Sequence, residues 1–177
     1  DIMNIIEKSI KRKNLFEGKI VKLDVETVLL PNGNTAEREI IRHPGAVAIL
    51  PIDSYENIYF IKQFRKAIDD VLIEIPAGKL EQGEDPYQCA LRELQEEIGF
   101  TSNKLTLINT IYTSPGFADE IIYIYKAEEL IISQLEKDDD EFIDVCKFHK
   151  NQAFNMIKNG EIKDAKTIVA LLTAFKL

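Results

Sequence analysis

The sequence predicts an α+β or α/β/α layered domain preceded by a small N-terminal β element. Three observations lead there. Short runs of alternating or continuous apolar residues lie on both sides of one sharply delimited helix, the succession that a layered mixed fold requires. The 177 residues suit one ordinary domain with an accessory element, and 45% hydrophobic against 29% charged residues is a globular balance. No internal repeat or low-complexity segment interrupts the pattern.

Taken in order, residues 8–16 mix charges with isolated apolar residues and read as an arm or edge strand. From 19 to 30, Ile20, Val21, Leu23, Val25 and Val28 roughly alternate with polar neighbours, as a half-buried strand does. Pro31-Asn32-Gly33-Asn34 is a turn signal, and 35–42 returns to β character, so 19–42 forms a hairpin. His43-Pro44-Gly45 separates this element, residues 1–43, from a main domain spanning 44–177. The hairpin holds too few apolar residues for a core of its own.

The main domain opens with β-rich runs at 46–52 and 58–64 around a polar turn at 53–57, then a short strand at 71–75 closed by Pro76-Ala77-Gly78. Asp85 is a good N-cap, Pro86 suits the first helical position and Gly99 suits the position after the last, so the central helix runs between them. Strands follow at 105–112 and 120–127, an acidic run at 136–141, a strand at 142–148, and helices at 151–159 and 164–175. In the last helix Ile168, Leu171, Leu172 and Phe175 recur at helical spacing and read as a core-facing stripe.

With 22 Lys and Arg against 30 Asp and Glu the formal net charge is −8. Such a chain repels nucleic acid and anionic membrane at long range, so a phosphate ligand needs locally placed cations. No apolar run approaches the roughly 20 residues of a membrane span. The start lacks a signal peptide's basic-then-apolar order, and beginning at Asp implies a trimmed start. Cys89, Cys146, His43 and His149 show neither zinc spacing nor a disulfide framework, which fits a reducing cytoplasm.

The chemistry concentrates in residues 78–100, GKLEQGEDPYQCALRELQEEIGF. A helical wheel puts Tyr87, Leu91, Leu94 and Ile98 on the core side. Glu93, Glu96 and Glu97, at i, i+3 and i+4, gather on another face. Like charges at these spacings repel, and acids near a helix C-terminus oppose its macrodipole. A solvated acidic face is the bland explanation. A divalent cation supplies the other, because hard carboxylate oxygens on one rigid face suit Mg²⁺ or Mn²⁺. Two features favour the cation. Gly78 and Gly83 allow close backbone approach in the loop before the helix, and Arg92 can fix a carboxylate through paired hydrogen bonds.

This segment resembles the Nudix box, G-x5-E-x7-R-E-U-x-E-E-x-G-U with U a bulky apolar residue. Gly78, Glu84, Arg92, Glu93, Leu94, Glu96, Glu97, Gly99 and Phe100 fill every specified position. The resemblance implies an α/β/α sandwich with a mixed sheet and a metal-dependent hydrolase of nucleoside diphosphates linked to another moiety. It implies two or three Mg²⁺ (or Mn²⁺) ions per site, with Glu93 and Glu97 as ligands, Glu96 assisting and the Ala77 carbonyl as a further ligand. Arg92 would orient the glutamates, Glu84 would brace the loop before the helix, and Gly78 and Gly99 would shape its ends.

Pro115, in Thr113-Ser114-Pro115-Gly116-Phe117-Ala118-Asp119-Glu120, lies 16 residues beyond Gly99. That placement, with Arg38-Glu39, Arg42 through Val47 and Ile61-Lys62-Gln63-Phe64-Arg65, is similar to the bacterial ADP-ribose pyrophosphatases over residues 15–170. The resemblance implies ADP-ribose as substrate, with other nucleoside diphosphate sugars or a non-catalytic nucleotide-sensing domain as the alternatives. It implies Arg65 on the diphosphate and Arg38 nearer the N-terminal element, each otherwise a surface salt-bridge partner, and Glu120 with Ser114 on ribose hydroxyls. Phe16 is a candidate surface for the adenine. Within the acidic run, Glu141 and then Asp139 match the loop acid that orients or deprotonates water, Glu141 also reaching the metal. The resemblance further implies a homodimer in which the N-terminal element lines the partner's pocket. Neither nucleic acid nor membrane is an expected partner.

Overall fold

The structure, a computed structural model, describes residues 5–136 and 142–176. The chain divides into two compact units, Asp1–Gly45 with Tyr112–Ile121, and Ala46–Ile111 with Ile122–Leu177.

The first unit is an antiparallel sheet of β1 (Lys8–Glu17), β2 (Lys22–Leu29) and β3 (Thr35–Arg42), in that order. The β2–β3 hairpin turns through Gly33, whose φ of 85° places it in the left-handed region that glycine enters without strain. β1 is an edge strand, exposed along its whole length and irregular in register at Ser9–Lys11 and Asn14–Phe16. Among the described residues of this unit, Val28 is the one buried apolar side chain. Segment 112–121 joins β3 through main-chain bonds: Ile41 N–H donates to the Phe117 carbonyl (2.7 Å) and Asp119 N–H to that of Ile41 (3.1 Å).

The second unit contains two sheets. One orders β7 (Ala77–Lys79), β4 (Ala46–Pro51), β9 (Ile121–Ile132) and β8 (Phe100–Tyr112); the other orders β10 (Ile143–His149), β5 (Asn57–Arg65) and β6 (Asp70–Glu74). β4 runs parallel to β9 and antiparallel to β7, so the first of these sheets is mixed. Every residue of β4 is buried, and alternation splits them between two cores. Ala46, Ala48 and Leu50 pack with α2 (Lys150–Lys158) and α3 (Ala165–Lys176) through Met156, Ala170 and Leu171. Val47 and Ile49 pack with α1 (Pro86–Ile98) through Ala90, Leu94 and Ile98. Helices therefore cover both faces, giving the α/β/α arrangement of an α+β fold.

Helix α1 begins and ends as its sequence signals require. The Asp85 side chain accepts from the Tyr87 and Gln88 amides, Pro86 follows, and Gly99 closes the helix with φ 74°. Its buried face differs from the helical-wheel expectation. Cys89, Ala90, Glu93, Leu94, Glu97 and Ile98 are buried, whereas Tyr87 is exposed. The wheel sorted residues by polarity, but β4 and β7 cover a stripe that includes two carboxylates. In α3, Leu171 is buried with Ala170 and Thr167, while Leu172 of the expected stripe is exposed.

Three further features concern strands. Residues 77–79 form β7 where the sequence reads a turn, because Ala77 and Gly78 pair with Ala48 and Val47. The runs either side of the Asp53 turn enter different sheets and meet through an Ile52–Ile58 bridge. β8 and β9 extend beyond the expected 105–112 and 120–127.

Candidate active site

The second unit brings the box residues together. β7 leads into the loop before α1, and its backbone runs against the glutamate face of that helix. The Ala77 N–H donates to Glu97 Oε2 (2.9 Å). Gly78 lies so close to Glu93 that a β-carbon built on it would fall 1.8 Å from Oε1. Glu93 is 7% exposed and Glu97 2%, although both carry carboxylates. Glu96, one turn from Arg92, is more accessible.

Arg92 organises this acid cluster. Its Nε and Nη2 donate to the two oxygens of Glu84 (3.0 and 3.1 Å), a bidentate pair. Its Nη1 bridges Glu93 Oε1 (2.7 Å) and Glu96 Oε2 (2.9 Å). Glu84 in turn accepts the Glu81 amide (2.9 Å), which fastens the loop. The Arg92 hydrogen bonds hold the Glu84 carboxyl well below its usual range, at about 2, and Glu84 raises the guanidinium correspondingly. Burial pushes the neighbouring Cys89 thiol upward, so it stays protonated.

The donor set suits a hard divalent cation: carboxylates of Glu93, Glu96 and Glu97 and the nearby Ala77 carbonyl. Because Gly78 lacks a β-carbon, the Glu93 carboxylate lies against β7, where the Ala77 amide holds Glu97, so hard oxygen donors from two elements gather in one place and the residues fit such a group. Among the described residues no three acidic, histidine or cysteine side chains already converge as a cage. Arg92 instead holds two of the acids.

Arg65, also in this unit, ends β5 and forks onto the buried Glu74 of β6, Nε to Oε1 and Nη2 to Oε2, both at 2.7 Å. Lys166 bonds the same carboxylate from α3. Sequence reading missed Glu74 and Lys166. The pair is separated by 92 residues, and no local pattern marks it.

Arg38, Ser114, Pro115 and Glu120 belong to the first unit. Arg38 pairs with Glu7 (Nε to Oε2, 2.9 Å). Glu120 accepts from the Thr113 hydroxyl (2.7 Å), and His43 Nε2 lies 3.6 Å from its other oxygen. Ser114 and Pro115 sit in a turn in which the Ser114 carbonyl accepts the Phe117 and Ala118 amides. The Arg42 guanidinium holds this turn to the sheet by bonding Asp119 (3.1 Å) from Nη1, Asp24 (3.2 Å) from Nε, and Glu26 from Nη2. Burial opposes the charge on Asp24, but hydrogen bonds from Arg12, Asn14 and Arg42 outweigh it and keep that carboxyl low. Phe16, on the edge strand, is exposed. Asp139 and Glu141 lie outside the described residues.

Comparison with known proteins agrees with this architecture. The chain is 48% identical to the ADP-ribose pyrophosphatase of Bacillus subtilis (strain 168) over 167 residues, covering 93% of this chain and 90% of that one. It is 47% identical to the methanol dehydrogenase activator of Bacillus methanolicus over 169 residues, with the same coverage. A crystal structure of an ADP compounds hydrolase superposes with a TM-score of 0.84 over 95% of this chain and 91% of that one, at 20% identity, which is a likeness of fold. The NUDIX domain model matches residues 42–171. The complete box, running from β7 through α1 to the start of β8, the layered mixed sheet and these matches agree: the chain belongs to the NUDIX domain family.

Proposed function

We propose that this protein hydrolyses the diphosphate bond of ADP-ribose, giving AMP and ribose 5-phosphate, with Mg²⁺ or Mn²⁺ as cofactor. The observation that carries the reading is the intact set of Glu93, Glu96 and Glu97 on α1, in a chain 48% identical to a protein named for this activity. Glu93, Glu97 and the Ala77 carbonyl would hold two or three ions, with Glu96 and a loop acid, Glu141 ahead of Asp139, completing the set. Bound there, the cations would neutralise charge on the phosphoryl oxygens and make the attacking water more acidic.

The remaining steps fall to side chains. Arg65 contacts the diphosphate as a placed cation in a chain whose net charge is −8. Glu120, with Ser114, accepts hydrogen bonds from ribose hydroxyls, and Arg38 contacts the substrate end nearer the N-terminal element. The loop acid takes the proton from water as the oxygen bonds to one phosphorus and the bridging P–O bond breaks. Gly78, Glu84, Arg92, Gly99 and Pro115 hold these groups in place. The N-terminal element, residues 1–43, pairs two subunits into a homodimer; a monomer at micromolar concentration in solution scattering would contradict this. The protein works in the cytoplasm, in keeping with two free cysteines. Among the described residues no helix is long and apolar enough to cross a membrane.

The test is product analysis with ADP-ribose and Mg²⁺ in H₂¹⁸O. AMP and ribose 5-phosphate are expected, and the labelled product identifies the attacked phosphorus. Absence of both products, with turnover of other nucleoside diphosphate sugars, would move the assignment to those substrates. The 47% identity to a methanol dehydrogenase activator favours a second reading, activation of a dehydrogenase partner. Faster turnover by an alcohol dehydrogenase on addition of this protein would support it.

A further inference from the structure

Arg65 is not a free surface arginine. Two of its five N–H groups are committed to Glu74, whose side chain is 1% exposed, while the arginine side chain is 41% exposed. The Nε edge is therefore anchored on the buried acid, and among the described residues the three remaining donors, both on Nη1 and one on Nη2, make no hydrogen bond. Behind Glu74 the anchoring continues. Lys166 bonds Glu74 Oε2 and, at 3.0 Å, Asp164 Oδ1. Asp164 Oδ2 accepts from the Thr167 amide (3.0 Å) and hydroxyl (2.6 Å), and that hydroxyl accepts the Ile75 amide (2.8 Å). The start of α3 is thus tied to the strand that leads, two residues after Ile75, into Ala77 and its bond to Glu97. The Glu74 carboxylate chiefly raises the pKa of the Arg65 guanidinium, and the charges of Asp164 and Glu97 add to this.

We propose that Glu74, clamped from behind by Lys166, is a positioning residue that fixes the Arg65 guanidinium with one edge presented to the substrate's diphosphate. This rests on the reading of Arg65 as the diphosphate contact. The physical gain is preorganisation. A free arginine loses rotamer freedom when it captures an anion, whereas one already forked onto a buried carboxylate has lost it on folding. Glu74 holds the Nε–Nη2 edge from a buried position, while the arginine side chain keeps 41% of its surface exposed. The purely structural alternative, an ion-pair network that only joins α3 to β6, makes a different kinetic prediction.

The experiment compares Glu74→Gln, the charge-balanced pair Glu74→Gln with Lys166→Met, and Arg65→Ala, all on the full chain with ADP-ribose and Mg²⁺. Circular dichroism melting checks folding, and the paired variant covers the case in which Glu74→Gln alone strands the Lys166 charge and unfolds. The paired variant is expected to raise KM about tenfold with kcat within about threefold, the signature of lost substrate positioning. Adding Arg65→Ala to it should produce little further loss, because the two changes remove one function. In otherwise unaltered protein, Lys166→Arg should restore the KM that Lys166→Met loses. A folded paired variant with unchanged KM, where Arg65→Ala raises it, overturns the positioning role alone. An unchanged KM in Arg65→Ala overturns the diphosphate contact and this proposal with it. Failure of the unaltered protein to cleave ADP-ribose overturns the functional reading itself.

Discussion

Gly78 and Glu93 share space that only glycine leaves open: a β-carbon at residue 78 would sit 1.8 Å from one carboxylate oxygen and 2.4 Å from the other. Those atoms are the far end of a flexible side chain, so the strand need not move; the carboxylate must. Gly78→Ala is expected to leave the fold intact and to lower hydrolysis about 100-fold, the usual cost of misplacing a catalytic group by about 1 Å. Circular dichroism and steady-state kinetics measure the two effects. Activity within a few fold of the unaltered protein would show that the position of Glu93 against β7 is dispensable.

Glu97 is buried and accepts the Ala77 amide. Glutamine keeps an acceptor oxygen and the same volume, so Glu97→Gln should fold normally while losing the charge a cation needs. Turnover is expected to fall by orders of magnitude, on the order of 10³ or more, with weaker Mg²⁺ binding by titration calorimetry. Chelator treatment of the unaltered protein should abolish hydrolysis, and added Mg²⁺ should restore it. Near-normal turnover in Glu97→Gln would refute the metal assignment.

The Glu84–Arg92 pair makes stability depend on pH. The folded carboxyl sits at about 2 rather than 4.5, chiefly through its hydrogen bonds from Arg92. A depressed folded value means the stabilisation is complete above the ordinary value and disappears as pH falls through the folded one. Glu84→Gln should therefore narrow the stability gap to the unaltered protein as pH drops from 4.5 towards 2. Urea unfolding across that range reads it; a gap independent of pH would mean that Glu84 contributes no charge-dependent stability.

The acidic run tests the base. Glu141→Gln should lower kcat and flatten the rising limb of the pH–rate profile, and Asp139→Asn should do so less, because aspartate reaches one methylene less far. The reverse order would assign the role to Asp139.

Local signals were legible in the sequence. Asp85, Pro86 and Gly99 set the ends of α1 because capping acts over a few neighbouring residues, and the Nudix box declared its acids through fixed spacing on that helix. The β2–β3 hairpin was readable for the same reason, from a turn at Gly33 between two alternating runs. Polarity alone, however, placed Glu93 and Glu97 away from the core, and only the packing of β4 and β7 on α1 buries them. The strand character of 77–79, the separation of β4 from β5 and the union of Arg65, Glu74 and Lys166 likewise depend on partners distant in sequence. The sequence by itself determined the helix, its caps and the spacing of its acids, because those features span a few residues. Tertiary structure decided which charges are buried and what each one meets, because burial and strand pairing are set by contacts that no local spacing encodes.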